Sequence, residues 1–159
     1  MKLRNALETE LPQIAALYRS AIGTPGCTWN DEYPGTFELI HDFEGGNLYV
    51  LTRDDQVIGA VSVVSPNELD DFDCWQVRAG SQKEIARVVV SRDYAGQGIA
   101  VTMLRLLFEK LNREGCGAIH LSVAKCNPAA IRTYRKLGFA FLGACEMYGH
   151  SYYLCELIL

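Results

Sequence analysis

One stretch in the second half of the chain constrains the fold more than any other. An apolar run over residues 85–90, IARVVV, is followed by a loop with glycines at positions 96 and 98. A long segment with apolar residues at helical spacing over 98–114 and a second apolar run over 118–123 come next. This order predicts two buried strands joined through a helix, and such a crossover almost always connects parallel strands with right-handed sense.

The segments on either side of this unit predict further strands that pair in the antiparallel sense. Strands are predicted at residues 2–6, 48–52 and 57–64 before it, and at 139–146 and 152–158 after it. Helices are predicted over 9–22, with Thr9 as N-cap, and over 36–44 and 128–137. Together the elements predict an α/β (α+β) fold, in which a mixed sheet carries helices on its faces.

Length and charge restrict the class of protein to which the chain can belong. Its 159 residues contain no repeat or linker and predict a single domain over residues 1–159. The formal net charge of −4 argues against nucleic acid as a main partner. Because no apolar run approaches the roughly 18 residues of a membrane span and the first residues lack an apolar targeting segment, we expect no membrane partner and a cytoplasmic location.

The cysteines show no pattern typical of a metal site or a disulfide framework. No CxxC pair and no Cys/His cluster with zinc-binding spacing is present, so we expect no metal. Reduced, mostly buried thiols are the preferred interpretation, with a disulfide or a zinc site as the alternative. The six residues are Cys27, Cys74, Cys116, Cys126, Cys145 and Cys155.

The loop over residues 91–101, SRDYAGQGIAV, carries the clearest functional pattern. Gly96, Gly98 and Ala100 remove side chains where the chain enters the helix. Free backbone N–H groups and the positive end of the helix dipole there favour a diphosphate. Val101 stands where a dinucleotide-binding GxGxxG motif needs its third glycine, and the GK[ST] of a P-loop is absent. From these residues alone, a loop that only turns the chain remains the alternative.

Two segments together resemble the GCN5-related N-acetyltransferase (GNAT) family. The loop is similar to the family's cofactor motif R/Q-x-x-G-x-G/A, but Ala95 stands at its first position. Residues 126–139, CNPAAIRTYRKLGF, are similar to the family's N-x-x-A-x-x-x-Y-x-x-x-G-F segment. The resemblance covers residues 84–158. It implies a GNAT-like, mostly antiparallel sheet of about six to seven strands with a central parallel pair and helices on both faces.

The resemblance also implies acetyl-CoA as co-substrate and gives it a binding site. The backbone of strand residues 88–90 would pair with the pantetheine arm, and Asn127 would hold that arm or the nearby backbone. Because Ala95 lacks the family's Arg or Gln side chain, diphosphate binding would rest on the loop's backbone amides. The implied cofactor-binding residues are Val88, Val89, Val90, Gly96, Gln97, Gly98, Ile99, Ala100, Val101, Asn127 and Tyr134.

Two residues are implied to carry the chemistry of acetyl transfer. Tyr134 would protonate the departing thiolate, and Glu84 would accept the proton of the attacking amine. A solvated carboxylate at a strand start is the simpler interpretation of Glu84. His150, at the final turn, is the second candidate base and water the third. His120, in an apolar strand, is predicted to be a core residue with satisfied hydrogen bonds.

The implied function is acetyl transfer from acetyl-CoA to a primary amine of a small molecule or peptide, by direct attack on the thioester. A non-catalytic acyl-CoA-binding or sensing module is the alternative, given Ala95 and the open identity of the base. Ser122 stands where the branch that acetylates ribosomal-protein N-termini has a glutamate, which disfavours that acceptor. A homodimer is compatible with the sequence.

An acidic segment precedes the predicted cofactor strand and offers a hypothesis for the acceptor. Its carboxylates would form a local negative field, and the adjacent rings of Phe72 and Trp75 could hold an ammonium group. A solvated surface loop is the simpler interpretation. The four carboxylates are Glu68, Asp70, Asp71 and Asp73.

Overall fold

The computed structural model describes residues 1–78 and 80–159 and places one mixed sheet between two pairs of helices. Helices α1 and α2 cover one face of the sheet, and α3 and α4 cover the other. The elements are β1 Lys2–Asn5, α1 Leu11–Ala21, α2 Thr36–Glu44, β2 Leu48–Arg53, β3 Gln56–Val64, β4 Gln82–Val90, α3 Ile99–Arg113, β5 Ala118–Ala124, α4 Pro128–Lys136, β6 Ala140–Met147 and β7 His150–Ile158.

The sheet has seven strands in the order β1-β2-β3-β4-β5-β7-β6. Every neighbouring pair is antiparallel except β4 and β5, which run parallel and are connected through α3. The predicted fold class, including the central parallel pair and helices on both faces, is therefore confirmed. In the described part of the chain, no helix has the length and apolar character that a membrane crossing needs.

The parallel pair is short, and the two strands separate at one end. The paired residues are Gln82 with Ala118, Lys83 with Ile119 and Glu84 with His120. Beyond Glu84, no pairing joins β4 to β5 among the described residues, although β4 continues to Val90. Residues 85–90 and 121–124 therefore face each other across a split in the sheet.

A β-bulge at Arg87 sets the direction of the side chains that border this split. Arg87 has a left-handed backbone with φ of 53°, and the β3–β4 register shifts between Ala60 and Ser62. Ile85 packs into the core under α3, whereas Val89 packs into the core under α1. Two residues four apart would share a face in a regular strand, so the bulge reverses the alternation. After it, Val88 and Val90 face the α3 side.

The N-terminal boundary of α1 differs from the sequence prediction. Thr9 is not its N-cap, because residues Glu8–Glu10 form a short 3-10 turn and the helix begins at Leu11. The side chain of Glu10 accepts the Leu7 amide at 2.8 Å and pairs with Arg4 at 2.6 Å. This carboxylate, rather than the Thr9 hydroxyl, receives the free amide at the start of the turn. All six cysteines are free.

Candidate active site

The glycine loop at the end of β4 has a backbone that only glycine adopts readily. Gly96 and Gly98 have φ of 74° and 72°, and Gly98 is the N-cap of α3. A Cβ atom built on either residue would meet no protein atom within 4 Å. Left-handed geometry, rather than crowding by the protein itself, therefore explains these glycines. The space above them is free for a ligand.

The backbone N–H groups of residues 96–101 point to an anion site. Within the described ranges, none of them donates a hydrogen bond to a protein acceptor, and the first helical bond is Thr102 N–H to the Gly98 carbonyl at 3.1 Å. Unpaired amides at a helix N-terminus carry a partial positive charge. Gln97 and its neighbours thus present six consecutive donors where a diphosphate would be stabilised.

The split between β4 and β5 adjoins this loop. Val88, Val89 and Val90 lead directly into it, and the edge that they turn toward β5 has no partner strand in the described structure. Unpaired strand edges bind extended chains through main-chain hydrogen bonds. The predicted pantetheine-pairing residues therefore lie on an available edge that ends at the unpaired amides of residues 96–101.

Asn127 and Tyr134 both belong to α4, on the α3 side of the sheet. The side-chain oxygen of Asn127 accepts the Ala130 amide at 3.1 Å, so it caps the helix as its position before a proline suggests. The Tyr134 ring packs edge-on against Phe139 at 5.6 Å. Burial raises the pKa of Tyr134, with a smaller contribution from Cys155, and this keeps the hydroxyl protonated at neutral pH.

Glu84 is buried, so its interpretation as a solvated carboxylate is wrong. Only 5% of its surface is exposed, and one oxygen, Oε2, accepts the amides of Glu68 at 2.6 Å and Leu69 at 3.2 Å. Burial raises its pKa to about 7, against the lowering effect of the two amides, and Glu68 and Asp70 add to the rise. A carboxylate with this pKa suits proton transfer at neutral pH.

Glu84 and Tyr134 lie on opposite faces of the sheet. Ile85 points into the core under α3, so the adjacent Glu84 points away from it, whereas Tyr134 belongs to that core. Glu84 is also the last residue of β4 that pairs with β5. The two candidate catalytic residues therefore flank the split from its two sides.

His120, predicted as a core residue, and His150, the second candidate base, have different surroundings. His120 is 1% exposed, its Nε2 lies 2.6 Å from Glu156 Oε2, and its ring stacks on Trp75 at 3.9 Å. The prediction of a core residue is confirmed, but Nδ1 has no partner among the described atoms, so its hydrogen bonds are not all satisfied. His150 is exposed at the first position of β7 and pairs with Met147.

The acidic segment does not offer both aromatic rings that the sequence suggested. Trp75 is buried, and its indole N–H donates to the Leu69 carbonyl at 2.7 Å. Since its ring also stacks on His120, it presents no free face to an ammonium group. Asp73 remains exposed, at 3.7 Å from Arg78.

A buried polar cluster next to the bulge was not found from the sequence. Asp42 of α2 accepts hydrogen bonds from Arg87 Nε at 2.8 Å and Nη2 at 2.9 Å, and from the Ser62 hydroxyl at 2.6 Å. The hydroxyl of Tyr33 lies 3.0 Å from Arg87 Nη1. The only sequence signal was a charged residue inside an apolar strand. The cluster connects the bulge to α2 and to the loop before it.

Comparison with known proteins identifies the family. The model of the acetyltransferase (GNAT) family matches residues 14–139, which include the glycine loop and all of α4. The chain belongs to the GNAT acetyltransferase family. The expectation of an N-acetyltransferase is thereby confirmed at the level of the family, whose members use acetyl-CoA.

Curated GNAT relatives are similar over most or part of the chain. An L-methionine sulfoximine/L-methionine sulfone acetyltransferase from Pseudomonas aeruginosa is 26% identical over 158 residues, covering 94% of this chain and 86% of the relative. A streptothricin acetyltransferase from Streptomyces lavendulae is 31% identical over 84 residues, covering 52% of this chain and 44% of the relative.

Solved GNAT structures share the fold of the whole chain. An acetyltransferase from Streptococcus agalactiae superposes with a TM-score of 0.85 at 23% identity, covering 99% of this chain and 95% of the other. An acetyltransferase from Salmonella typhimurium, solved with its cofactor acetyl-CoA, has a TM-score of 0.77 at 22% identity, covering 100% and 94%. At these identities, the similarity shows the fold.

Proposed function

We propose that the protein transfers the acetyl group of acetyl-CoA to a primary amine by direct attack of the amine on the thioester. One juxtaposition carries the proposal: the unpaired amides of residues 96–101 lie at the end of the open edge of β4. An extended arm attached to a diphosphate fits an open strand edge that leads into a row of amide donors.

The residues present fit the cofactor through their backbone. The amides of residues 96–101 would hold the diphosphate, and the backbone of residues 88–90 would hold the pantetheine arm. Ala95 is exposed beside the loop and contributes no polar side chain. The side-chain oxygen of Asn127 already caps α4, which leaves its amide NH₂ as the group for pantetheine. When bound, acetyl-CoA supplies an activated acyl group as a thioester.

The candidate catalytic residues supply the two proton transfers that the reaction needs. Free amines have a pKa near 10 and are protonated at neutral pH, so the acceptor must lose a proton. Glu84, with a pKa of about 7, would accept that proton. Tyr134, kept protonated by burial, would donate its proton to the departing thiolate from the opposite side of the split.

The names of the two relatives support a small-molecule amine as acceptor. One relative is named for L-methionine sulfoximine and L-methionine sulfone, and the other for streptothricin. We therefore place small amino-acid-like and antibiotic amines first in a screen, with polyamines and peptide N-termini after them.

The test combines an acceptor screen with a matched pair of loop variants. Release of free CoA thiol is measured with each amine for the wild type, Gly98→Asp and Gly98→Asn. Asn and Asp have the same shape and both tolerate the left-handed backbone, so they differ mainly in charge. A negative charge near the diphosphate costs about 1 to 3 kcal/mol at a partly exposed site, so Gly98→Asp should weaken acetyl-CoA binding about 5- to 150-fold relative to Gly98→Asn.

Three outcomes are informative. Equal acetyl-CoA affinity of the Asp and Asn variants would remove the loop from the binding site. Tight acetyl-CoA binding without thiol release across the whole panel would favour the non-catalytic module. Thiol release that depends on one amine and is lost in Gly98→Asp would establish the transferase and name its acceptor.

A further inference from the structure

Three buried ionisable side chains form a row across the strands next to the split. Glu84 of β4 is paired with His120 of β5, which in turn is paired with Glu156 of β7. Their exposed fractions are 5%, 1% and 3%. All three point away from the core under α3 and are covered by the segment that connects β3 to β4. Paired residues on neighbouring strands are about 5 Å apart, so adjacent side chains can interact.

Glu156 fixes which nitrogen of His120 carries the proton. Its carboxylate accepts the amides of Gln76 and Val77, each at 3.1 Å, and lies 2.6 Å from His120 Nε2. Each oxygen of this carboxylate already accepts a backbone amide, so the carboxylate acts as an acceptor toward the ring as well. Nε2 must therefore donate to it. In the neutral imidazole, Nδ1 is then the acceptor.

The acceptor at Nδ1 is buried and lacks a partner in the described structure. Such groups are rare because a buried polar atom without a hydrogen bond costs free energy. Trp75 covers the ring but donates its own N–H to Leu69, so it cannot serve Nδ1. The paired residue on β4 is Glu84, whose ionised carboxylate has no proton to donate. Once protonated, Glu84 does have one.

We infer that His120 is a positioning residue for the proton transfer, accepting at Nδ1 a hydrogen bond from Glu84 after Glu84 has taken the proton of the amine. This inference rests on the proposed function. In the step, an N–H bond of the amine breaks and an O–H bond forms at Glu84 Oε1, because Oε2 already accepts two amides. Nδ1 has no partner within hydrogen-bond distance in the described structure, so the protonated carboxyl would turn toward it to donate this bond, while Glu156 holds the ring through Nε2.

Other charges face this row and contribute to its titration. Glu68 and Asp70, on the covering segment, raise the pKa of Glu84 in addition to the effect of burial. His120 faces Glu84 from β5, and Glu156 faces His120 from β7. Asp70 also lies 3.5 Å from the side chain of Gln82, two residues before Glu84. The pH profile of a His120 variant therefore reflects these acids as well as Glu84, and they are left unchanged in every variant.

Two substitutions test the roles of the two ring nitrogens of His120 separately. In His120→Gln, the side-chain amide can reach the place of Nε2 and still donate to Glu156, but nothing replaces Nδ1. In His120→Asn, the amide reaches only the place of Nδ1, and Glu156 loses its donor. The measurements are kcat/KM between about pH 5 and pH 9 and the midpoint of thermal unfolding for both variants, with Glu84→Gln as reference.

If the inference holds, the acidic limb of the wild-type profile reflects Glu84. In His120→Gln this limb moves to lower pH by about one unit, because the protonated carboxyl loses its acceptor. The value of kcat/KM at neutral pH falls about tenfold, less than the roughly 10²-fold or greater loss expected for Glu84→Gln. His120→Gln keeps a thermal midpoint near that of the wild type, whereas His120→Asn lowers the midpoint. A wild-type pH profile in His120→Gln overturns the inference.

A second measurement does not depend on turnover. The ¹⁵N NMR shifts of the His120 ring in the wild type should show a protonated Nε2 and a bare Nδ1 at a pH well above 7, where Glu84 is ionised. In Glu84→Gln, whose amide always carries N–H protons, the Nδ1 signal should shift as it becomes hydrogen-bonded. A doubly protonated ring, or an Nδ1 unaffected by Glu84→Gln, overturns the inference. Absence of thiol release by the wild type, in contrast, would overturn the proposed function.

Discussion

Breaking the ion pair between Asp42 and Arg87 by changing one partner should strongly destabilise this protein. Asp42 is 1% exposed and accepts three hydrogen bonds, two from Arg87 and one from Ser62. Burial by itself would lower the pKa of Arg87, but its bonds to Asp42 and Tyr33 raise the pKa overall, so the guanidinium stays charged. Asp42→Asn preserves the shape of the side chain and leaves that charge without a counter-ion.

The size of the effect follows from this burial. Removing one partner of a buried ion pair costs about 3 to 5 kcal/mol. For a chain of this length, each kcal/mol lowers the thermal midpoint by about 2 to 4 °C, so Asp42→Asn should lower it by roughly 6 to 20 °C. Ser62→Ala removes one hydrogen bond and leaves the ion pair intact, and it should cost only about 1 kcal/mol.

The assay is urea denaturation of four proteins: wild type, Asp42→Asn, Ser62→Ala and the double variant Asp42→Leu/Arg87→Met. The double variant has no buried charge, so it should be more stable than Asp42→Asn even though two side chains have changed. The single variant should also raise the KM for acetyl-CoA, because Arg87 holds the bulge that orients Val88 and Val90. A loss below about 1 kcal/mol in Asp42→Asn, or a double variant less stable than the single one, would refute the reasoning.

Three further predictions concern other parts of the structure. Tyr134→Phe keeps the packing against Phe139 but removes the proton, so steady-state turnover should fall about 10²-fold at unchanged acetyl-CoA affinity, and near wild-type turnover would leave only a packing role. Gly26 and Gly23 have φ of 80° and 81°, but only a Cβ on Gly26 would lie 2.6 Å from the Asn127 backbone. Gly26→Ala should therefore cost about 2 kcal/mol more than Gly23→Ala in denaturation experiments, and equal costs would show that the contact yields freely. The pKa of Glu84 rises from 4.5 to about 7 on folding, so its ionisation removes stability as the pH rises through that window. Glu84→Gln should therefore be more stable than the wild type by about 3 to 4 kcal/mol above pH 7 and equally stable below pH 4.5, whereas a difference independent of pH would contradict the burial of an ionised Glu84.

Local chemistry made part of the site predictable from the sequence. Asn127 stands before a proline at the start of a predicted helix, which is typical of an N-cap, and its side chain caps α4. Gly96 and Gly98 predicted a turn with exposed amides, and both have left-handed backbones. Each of these outcomes depends on neighbours within a few positions in the chain. Short-range geometry is the part of structure that a single sequence specifies best.

Features that depend on distant contacts could not be predicted. Glu84 had the pattern of a solvated strand start, yet residues 68 and 69 bring backbone amides onto its carboxylate. Trp75 had the pattern of a loop aromatic, yet it is buried on His120, which is far from it in sequence. Thr9 had the pattern of an N-cap, but a nearby glutamate performed that role. In each case the tertiary neighbour, rather than local preference, decided the outcome.

The short parallel pairing of β4 with β5 has a mechanical consequence. The sheet consists of two plates, strands β1–β4 and strands β5–β7, and among the described residues only three residue pairs join their backbones. Helix α3 connects β4 of the first plate to β5 of the second, so it is the main connection between the two plates. A change of angle between the plates would widen or narrow the split without breaking any antiparallel ladder. An extended molecule bound to the open edge would then restrict this change of angle. The rigidity of the whole sheet therefore depends on what is bound at that edge.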